Sequence, residues 1–412
     1  GNTADYLTAD TVTITPTVGV SGIAKVTVSK DNGEAVDITE SYQNGYEVTE
    51  NGTYTFILTN GAGITDTDSI TYTKIDGATP VVVIDSKGYT DGAWTNGDVT
   101  LEVSNSTVNL GDTKFEYKVD DGAWQTYTDA ITVSKETNGT VYTFRAISEA
   151  GVESEEKSIT VKLDKTAPDG DIKIEENSVK TFINKDTFGL FFNKNVDVTI
   201  SGSDLLSGVA SVLYYASEDI LTEEQVETLT DGDWTANTDI ISVTAADAKK
   251  FIYYVKVTDN AGNATYFASN GATFALTDPV ISGVTDGGEY YTTQKVTVTD
   301  TNLDSVTLNN EPVTLENDML TLLGNTEAAY TITATDKAGN TATVTVIMKT
   351  IASLAEDIDD LTTENVTSAD EETIEAVKTA VGNVDTENAT DEEKAALQDI
   401  LDKCDDLLDK IE

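Results

Sequence analysis

Histidine is absent from all 412 residues, cysteine occurs once and proline five times. Without histidine, the serine, cysteine and metallohydrolase chemistries lose their usual base or ligand. A single cysteine, Cys404, permits no intrachain disulfide, so cysteine usage does not identify the compartment. Bases are scarce: 25 Lys and Arg stand against 73 acids, a net charge of −48. Phosphate binding needs clustered cations, so this balance argues against nucleic acid and against anionic lipid head groups. No apolar run approaches the length of a membrane span, and no signal peptide is visible. Gly1 reads as a scar of tag removal, so targeting and anchoring segments are expected to lie outside this stretch. A glycine-rich phosphate loop, a GxSxG elbow and an HExxH helix are all missing. Among 73 acids, two carboxylates close in sequence say nothing about glycoside hydrolysis. We therefore assign no catalytic, cofactor-binding or metal-binding residue and expect no enzyme.

What is present is a repeat. Tyr54, Tyr142, Tyr253 and Tyr330 each precede an Ala-Gly pair by the same interval, at Ala62, Ala150, Ala261 and Ala338. Pro80, Pro168 and Pro279 follow the first three alanines, again at one spacing. A fixed internal period marks a repeated structural unit. Tyr142, Phe144 and Ala146 alternate with Val141, Thr143 and Arg145, which predicts a half-buried antiparallel strand. The Ala-Gly turn then leads into a second strand, with Ile159, Val161 and Leu163 facing inward. Each copy is thus expected to close its unit with a hairpin. Proline cannot donate to a ladder and suits the seam between units. The expected domains are 1–78, 79–166, 167–277 and 278–349, each an immunoglobulin-like β-sandwich. The third carries an insertion, Thr222–Glu227, with the pattern of a capped helical turn.

After Lys349 the pattern changes. Residues 350–412 hold 20 acids, 4 lysines and no Pro, Tyr, Phe or Trp. Three amphipathic helices are expected: one through Ile351, Leu354, Ile358 and Leu361; a second opened by a Ser368–Glu371 capping box; a third opened by a Thr390–Glu393 box. Together they predict an acidic three-helix module over 350–412. Cys404 falls on the apolar face of the third and reads as a small core residue.

Three tryptophans, Trp94, Trp124 and Trp234, each follow an Asp-Gly phrase. They read either as platforms for sugar rings or, with more weight from their recurrence, as side chains covering their own sheets. The recurrent tyrosines are expected to face the core with hydroxyls bonded to backbone, as in a tyrosine corner. Asp164, Asp169 and Asp171 cluster about one seam and could hold structural calcium, the one cofactor candidate, although solvated acids are the plainer reading.

Several phrases resemble those of bacterial immunoglobulin-like (Big-type) tandem repeats of Gram-positive surface and secreted proteins. They are Asp164-Lys165-Thr166-Ala167-Pro168, Thr258-Asp259-Asn260-Ala261-Gly262-Asn263, Thr335-Asp336-Lys337-Ala338-Gly339-Asn340 and Tyr117–Trp124. The resemblance covers residues 1–349, firmly from the second unit on. It implies an extracellular, cell-surface setting and partners that are host or cell-surface glycans or proteins. Lys–Asn isopeptide bonds occur in some such sandwiches, but the resemblance places none on particular residues here. The expected function is a non-catalytic, monomeric stalk or adhesin segment that spaces or presents binding modules. The rival is a carbohydrate-binding accessory region of a secreted glycan-active enzyme.

Overall fold

A computed structural model describes residues 5–174, 177–179 and 188–412; Gly1 lies outside them. The fold is mainly β, with the longer helices gathered at the C-terminal end. The chain forms two compact units: residues 1–169 with 203–211 and 257–265, and residues 170–202, 212–256 and 266–412.

The strands build paired sheets, denoted sandwiches I to IV. In sandwich II the sheet Ile131–Val133, Val99–Asn105, Val82–Asp85 packs on a five-stranded sheet containing Lys114–Val119, Thr137–Ile147 and Lys157–Leu163. Leu101, Phe144, Val161 and Leu163 fill the space between them. Each such burial contributes about 1.5–3 kcal/mol. Sandwich IV repeats the plan with Val280–Ser282, Gln294–Thr299 and Met319–Leu322 against a five-stranded sheet containing Leu303–Leu308, Ala328–Asp336 and Thr341–Met348. Pro80, Pro168 and Pro279 stand just ahead of the opening strands Val82–Asp85, Asp169–Ile174 and Val280–Ser282.

In sandwich III the insertion forms α1, Glu223–Glu227, with a complete capping box between Thr222 and Gln225. It has a packing purpose: Val226 joins Trp234, Ile252, Tyr254 and Ala268 in one cluster. This covers a face of the strand Lys250–Asp259 that an ordinary sandwich leaves to solvent, and its residues Phe251 to Val255 are all buried.

The helical part differs from expectation in its first two elements. Ile351–Ile358 is a 3-10 helix rather than an α-helix. The Ser353 hydroxyl donates to the Thr350 carbonyl (2.7 Å), the group an α-helix would offer to the amide of residue 354. The apolar face survives, with Ile351, Ala355 and Ile358 buried. In α2, Glu371–Gly382, Asp370 stands at the N-cap position without a side-chain bond into the helix, and no Ser368–Glu371 box forms. The Asp370 carboxylate instead accepts from the amide and hydroxyl of Thr367, which fixes a turn across Ser368 and starts the helix later. α3, Asp391–Ile411, has the expected Thr390–Glu393 box. Cys404 is fully buried in the shared core, and burial pushes its thiol pKa up.

Glu393 does more than cap. Its carboxylate, 6 % exposed, also accepts from the Thr293 amide (3.1 Å) and hydroxyl (2.8 Å) of sandwich IV. Gly324 lies so close that a Cβ there would stand 2.3 Å from Glu393 Oε1. The Thr292 hydroxyl donates to the Asp385 carbonyl, and Tyr291 packs into the helical core. The buried carboxylate of Glu393 is therefore a central fastening of the helices to sandwich IV, alongside the Thr292 bond and the Tyr291 contact. Glu393→Ala should cost about 2–4 kcal/mol, since it leaves the buried amide and hydroxyl donors of Thr293 unmet and opens the Thr390 cap. Urea unfolding should show the loss, and a cycle with Thr293→Val should show strong coupling between the two positions.

Candidate functional site at the module seams

The recurrent turn has one geometry in all four copies. Asn60, Ser148, Asp259 or Asp336 opens it, and a side-chain oxygen accepts the amide four residues on: Ile64, Val152, Asn263 or Asn340. Gly63, Gly151, Gly262 and Gly339 hold φ between 80° and 94°. That region strains an L side chain, which explains the invariant glycine of the phrase.

The last residue of the turn decides what the turn can hold. In sandwiches I and II it is Ile64 or Val152, and the turn ends on itself. In the third copy Asn263 donates its side-chain amide to the carbonyls of Asp164 (3.0 Å) and Thr166 (3.2 Å). Its orientation is fixed by Asp259 Oδ2 at 2.7 Å. In the fourth copy Asn340, oriented by Asp336 Oδ2, donates to the Ala275 carbonyl (2.8 Å). The Asp-x-Ala-Gly-Asn phrase is therefore a latch on the chain segment that enters the sandwich.

Around the first latch Asp164, Asp204 and Asp259 come together, each with one carboxylate oxygen within 4.8 Å of the others. Asp164 and Asp259 are buried. Asp164 accepts from the amides of Thr166 and Ser207, both at 3.0 Å. Asp204 accepts from Leu206 and Gly208. Sequence reasoning grouped Asp164 with Asp169 and Asp171; the fold groups it with acids far along the chain. Three carboxylates could contribute to a calcium shell of six to eight oxygens. The amide donors already account for both oxygens of Asp164 and of Asp259, and nothing beyond the carboxylates points to a cation.

Asp76 holds the corresponding place at the end of sandwich I. It accepts from the amides of Ala78 (3.0 Å) and Leu110 (2.6 Å) and from the Asn109 side chain (3.1 Å). Burial works to raise its pKa, but these three donors outweigh burial and hold it below the ordinary 3.8.

The tryptophans pack. Trp234 is 9 % exposed within the α1 cluster. Lys118 and Arg145 lie over the Trp124 ring at 4.6 and 4.5 Å, and Lys162 lies over Trp94 at 5.6 Å. Protein cations thus occupy ring surface that a sugar would need. Of the recurrent tyrosines, Tyr54 donates to the Glu50 carbonyl (2.9 Å). In sandwich III that kind of bond belongs to the neighbour: the Tyr254 hydroxyl meets the backbone of Leu221. Tyr253 packs on Tyr214, and burial pushes its pKa up to about 12. Among the described residues no helix is long and apolar enough to cross a membrane.

No family model matches the chain, and no curated protein matches it. Solved structures similar to it include three N-terminal domains of the outer capsid protein Hoc of bacteriophage RB49 (12 % identity, 66 % of this chain, 96 % of that one, TM-score 0.32). A bacterial ice-binding adhesin of 1.5 MDa is similar at 18 % identity over 66 % of this chain and 98 % of that one, TM-score 0.26. Fibronectin(III)-like modules of Clostridium thermocellum CbhA are similar at 14 % identity over 48 % and 94 %, TM-score 0.22. Likeness at these scores carries no argument about activity or ligand.

Two outcomes test the seams. Asn263→Ala and Asn340→Ala should each cost about 1–2 kcal/mol in urea unfolding, and Asn263→Asp more, because it replaces a donor with a charge beside Asp259. The Asp76 pKa is lowered on folding, so its contribution is complete above 3.8 and is lost as pH falls through the lower folded value. The stability gap between the native chain and Asp76→Asn should therefore be widest near neutral pH and close on acidification, as read from urea midpoints at several pH values.

Proposed function

We propose that the chain is a non-catalytic stalk or adhesin segment of a bacterial surface protein, built from immunoglobulin-like modules at 1–78, 79–166, 167–277 and 278–349 and a helical module at 350–412. Its work is geometric: it spaces or presents binding modules outside the cell, as a monomer, toward a cell-surface glycan or protein. One observation carries this reading. The same hairpin recurs in every module, and in two copies its terminal Asn latches the incoming chain, so the repeated phrase is spent on joining modules. The resemblance to Gram-positive repeats supports the surface setting, and the net charge of −48 favours a solvated, self-repelling chain. The accessory carbohydrate-binding reading is weakened by the burial of Trp234 and by the cations against the half-buried Trp94 and Trp124.

Small-angle scattering tests the proposal. A particle much longer than it is wide is expected; a compact globule would sink the reading. Asn263→Ala and Asn340→Ala should broaden the distribution of lengths while leaving the cores folded.

A further inference from the structure

Asn-Gly pairs recur along the chain, and the structure treats them unequally. Such a pair can close on itself: the glycine amide nitrogen attacks the asparagine Cγ when both are free to meet, because glycine has no Cβ to hinder the approach. Asn51 is not free, since its side-chain amide exchanges two bonds with the backbone of Ile75 (2.7 and 2.8 Å). At Asn60 the side-chain oxygen accepts from Ala62 and Ile64, and the Gly61 amide donates to the Gly22 carbonyl. The Gly33 and Gly45 amides donate to the carbonyls of Lys30 (2.7 Å) and Tyr42 (3.1 Å). Asn138 lies within the strand Thr137–Ile147, opposite Lys162, and Gly271 is buried in its pairing with Phe188.

Asn96-Gly97 is different. It stands in the short loop between Trp94–Thr95 and Val99–Asn105, and Asn96, Gly97 and Asp98 are all exposed. Among the described residues nothing hydrogen-bonds the Asn96 side chain. The Gly97 amide donates to the Thr95 hydroxyl (3.1 Å), an acceptor that one side-chain rotation removes. The loop also has work at the seam. The Thr95 carbonyl accepts the Asp164 amide (3.0 Å), and the Asp98 carboxylate pairs with Lys165. A Cβ on Gly262 would lie 3.9 Å from Asn96 Nδ2. One loop of sandwich II thus holds the linker that leaves it and adjoins the turn of the third copy.

We infer that Asn96 is a self-modification site, converted by water to aspartate and isoaspartate, and that the conversion loosens the seam between the second and third modules. The Gly97 nitrogen attacks Asn96 Cγ; a C–N bond forms and the Cγ–Nδ2 bond breaks. Nδ2 leaves as ammonia, taking up the proton that the Gly97 amide gives to solvent. A cyclic imide remains, and water adds to one of its carbonyls. Opening at Cγ gives aspartate; opening at the main-chain carbonyl gives isoaspartate. Neither an oxidant nor a second protein is needed. Both products put a new carboxylate beside Asp98 and the Gly262 turn. Isoaspartate also lengthens the main chain by one carbon between Thr95 and Asp98, which pulls the two holds on the linker, at Asp164 and Lys165, out of register. The reaction is independent of the stalk reading.

The test ages the full 412-residue chain in mildly alkaline buffer at physiological temperature. Peptide mapping by mass spectrometry follows each Asn-Gly pair, and isoaspartyl methyltransferase labelling reports isoaspartate. Residue 96 should convert about tenfold faster than the other pairs, the factor that one retained backbone hydrogen bond is worth. Gly97→Ala should slow residue 96 to the rate of the others. Its added Cβ shields the nitrogen and meets the Thr95 hydroxyl at 3.8 Å, so the fold accepts it. Amide exchange at Asp164 should quicken several-fold in the aged native chain and stay unchanged in aged Gly97→Ala. Equal rates at all pairs, a faster pair elsewhere, or Asp164 exchange that is the same in both aged chains would overturn the inference.

Discussion

The structure depends on short polar side chains that capture backbone N–H groups. Asn60, Ser148, Asp259 and Asp336 each hold a hairpin turn in this way, and Asp76 and Asp164 hold the ends of sandwiches I and II. Glu393 holds the helices. A buried amide without a partner costs roughly 1–3 kcal/mol, so the buried captures by Asp164 and Glu393 weigh as much as a buried aliphatic side chain. This explains how a chain with one cysteine and few bases fixes so many turns. Much of its acidity serves as acceptor capacity for its own backbone. The acids at the seams are placed where loops leave amides unpaired, and there they do the joining that disulfides do in other small β-domains.

The repeat made the architecture readable. Alternation in Tyr142–Ala146 and the Ala-Gly turn announce a hairpin because both signals are local: one is the pleat of a strand, the other a backbone angle only glycine takes easily. The Thr390–Glu393 box was legible for the same reason. What stayed hidden is long-range. Nothing in the phrase Asp259–Asn263 tells that the Asn reaches the Asp164 carbonyl, because that contact exists only once two strands and a linker have met. The Asp164, Asp204 and Asp259 grouping is of the same kind. The second role of Glu393 is masked by its first, since the box accounts fully for a glutamate at that place. The terminal Asn shared by the third and fourth copies, against Ile64 and Val152 in the others, was the one available signal.

Local competition explains the remaining differences. Ser353 and Asp370 each have a short side chain that can satisfy the nearby backbone in more than one way. In one case a hydroxyl takes a carbonyl and tightens an α-helix to a 3-10 helix; in the other a carboxylate closes a turn and delays a helix start. Pattern reading locates the apolar face correctly in both, because burial is set by spacing and survives a change of winding.

The short parallel strands carry a mechanical consequence. In sandwich II, Trp94–Thr95 lies beside the end of the closing strand and runs in its direction; in sandwich IV, Gly288–Tyr290 does the same with Val346–Met348. In both, this short strand follows the opening strand in the chain, and its parallel neighbour is the strand by which the chain leaves the sandwich. Tension transmitted past the opening strand slides these two strands past one another, and the bonds between them are loaded together instead of being peeled in sequence. Rupture then requires several hydrogen bonds to fail at once.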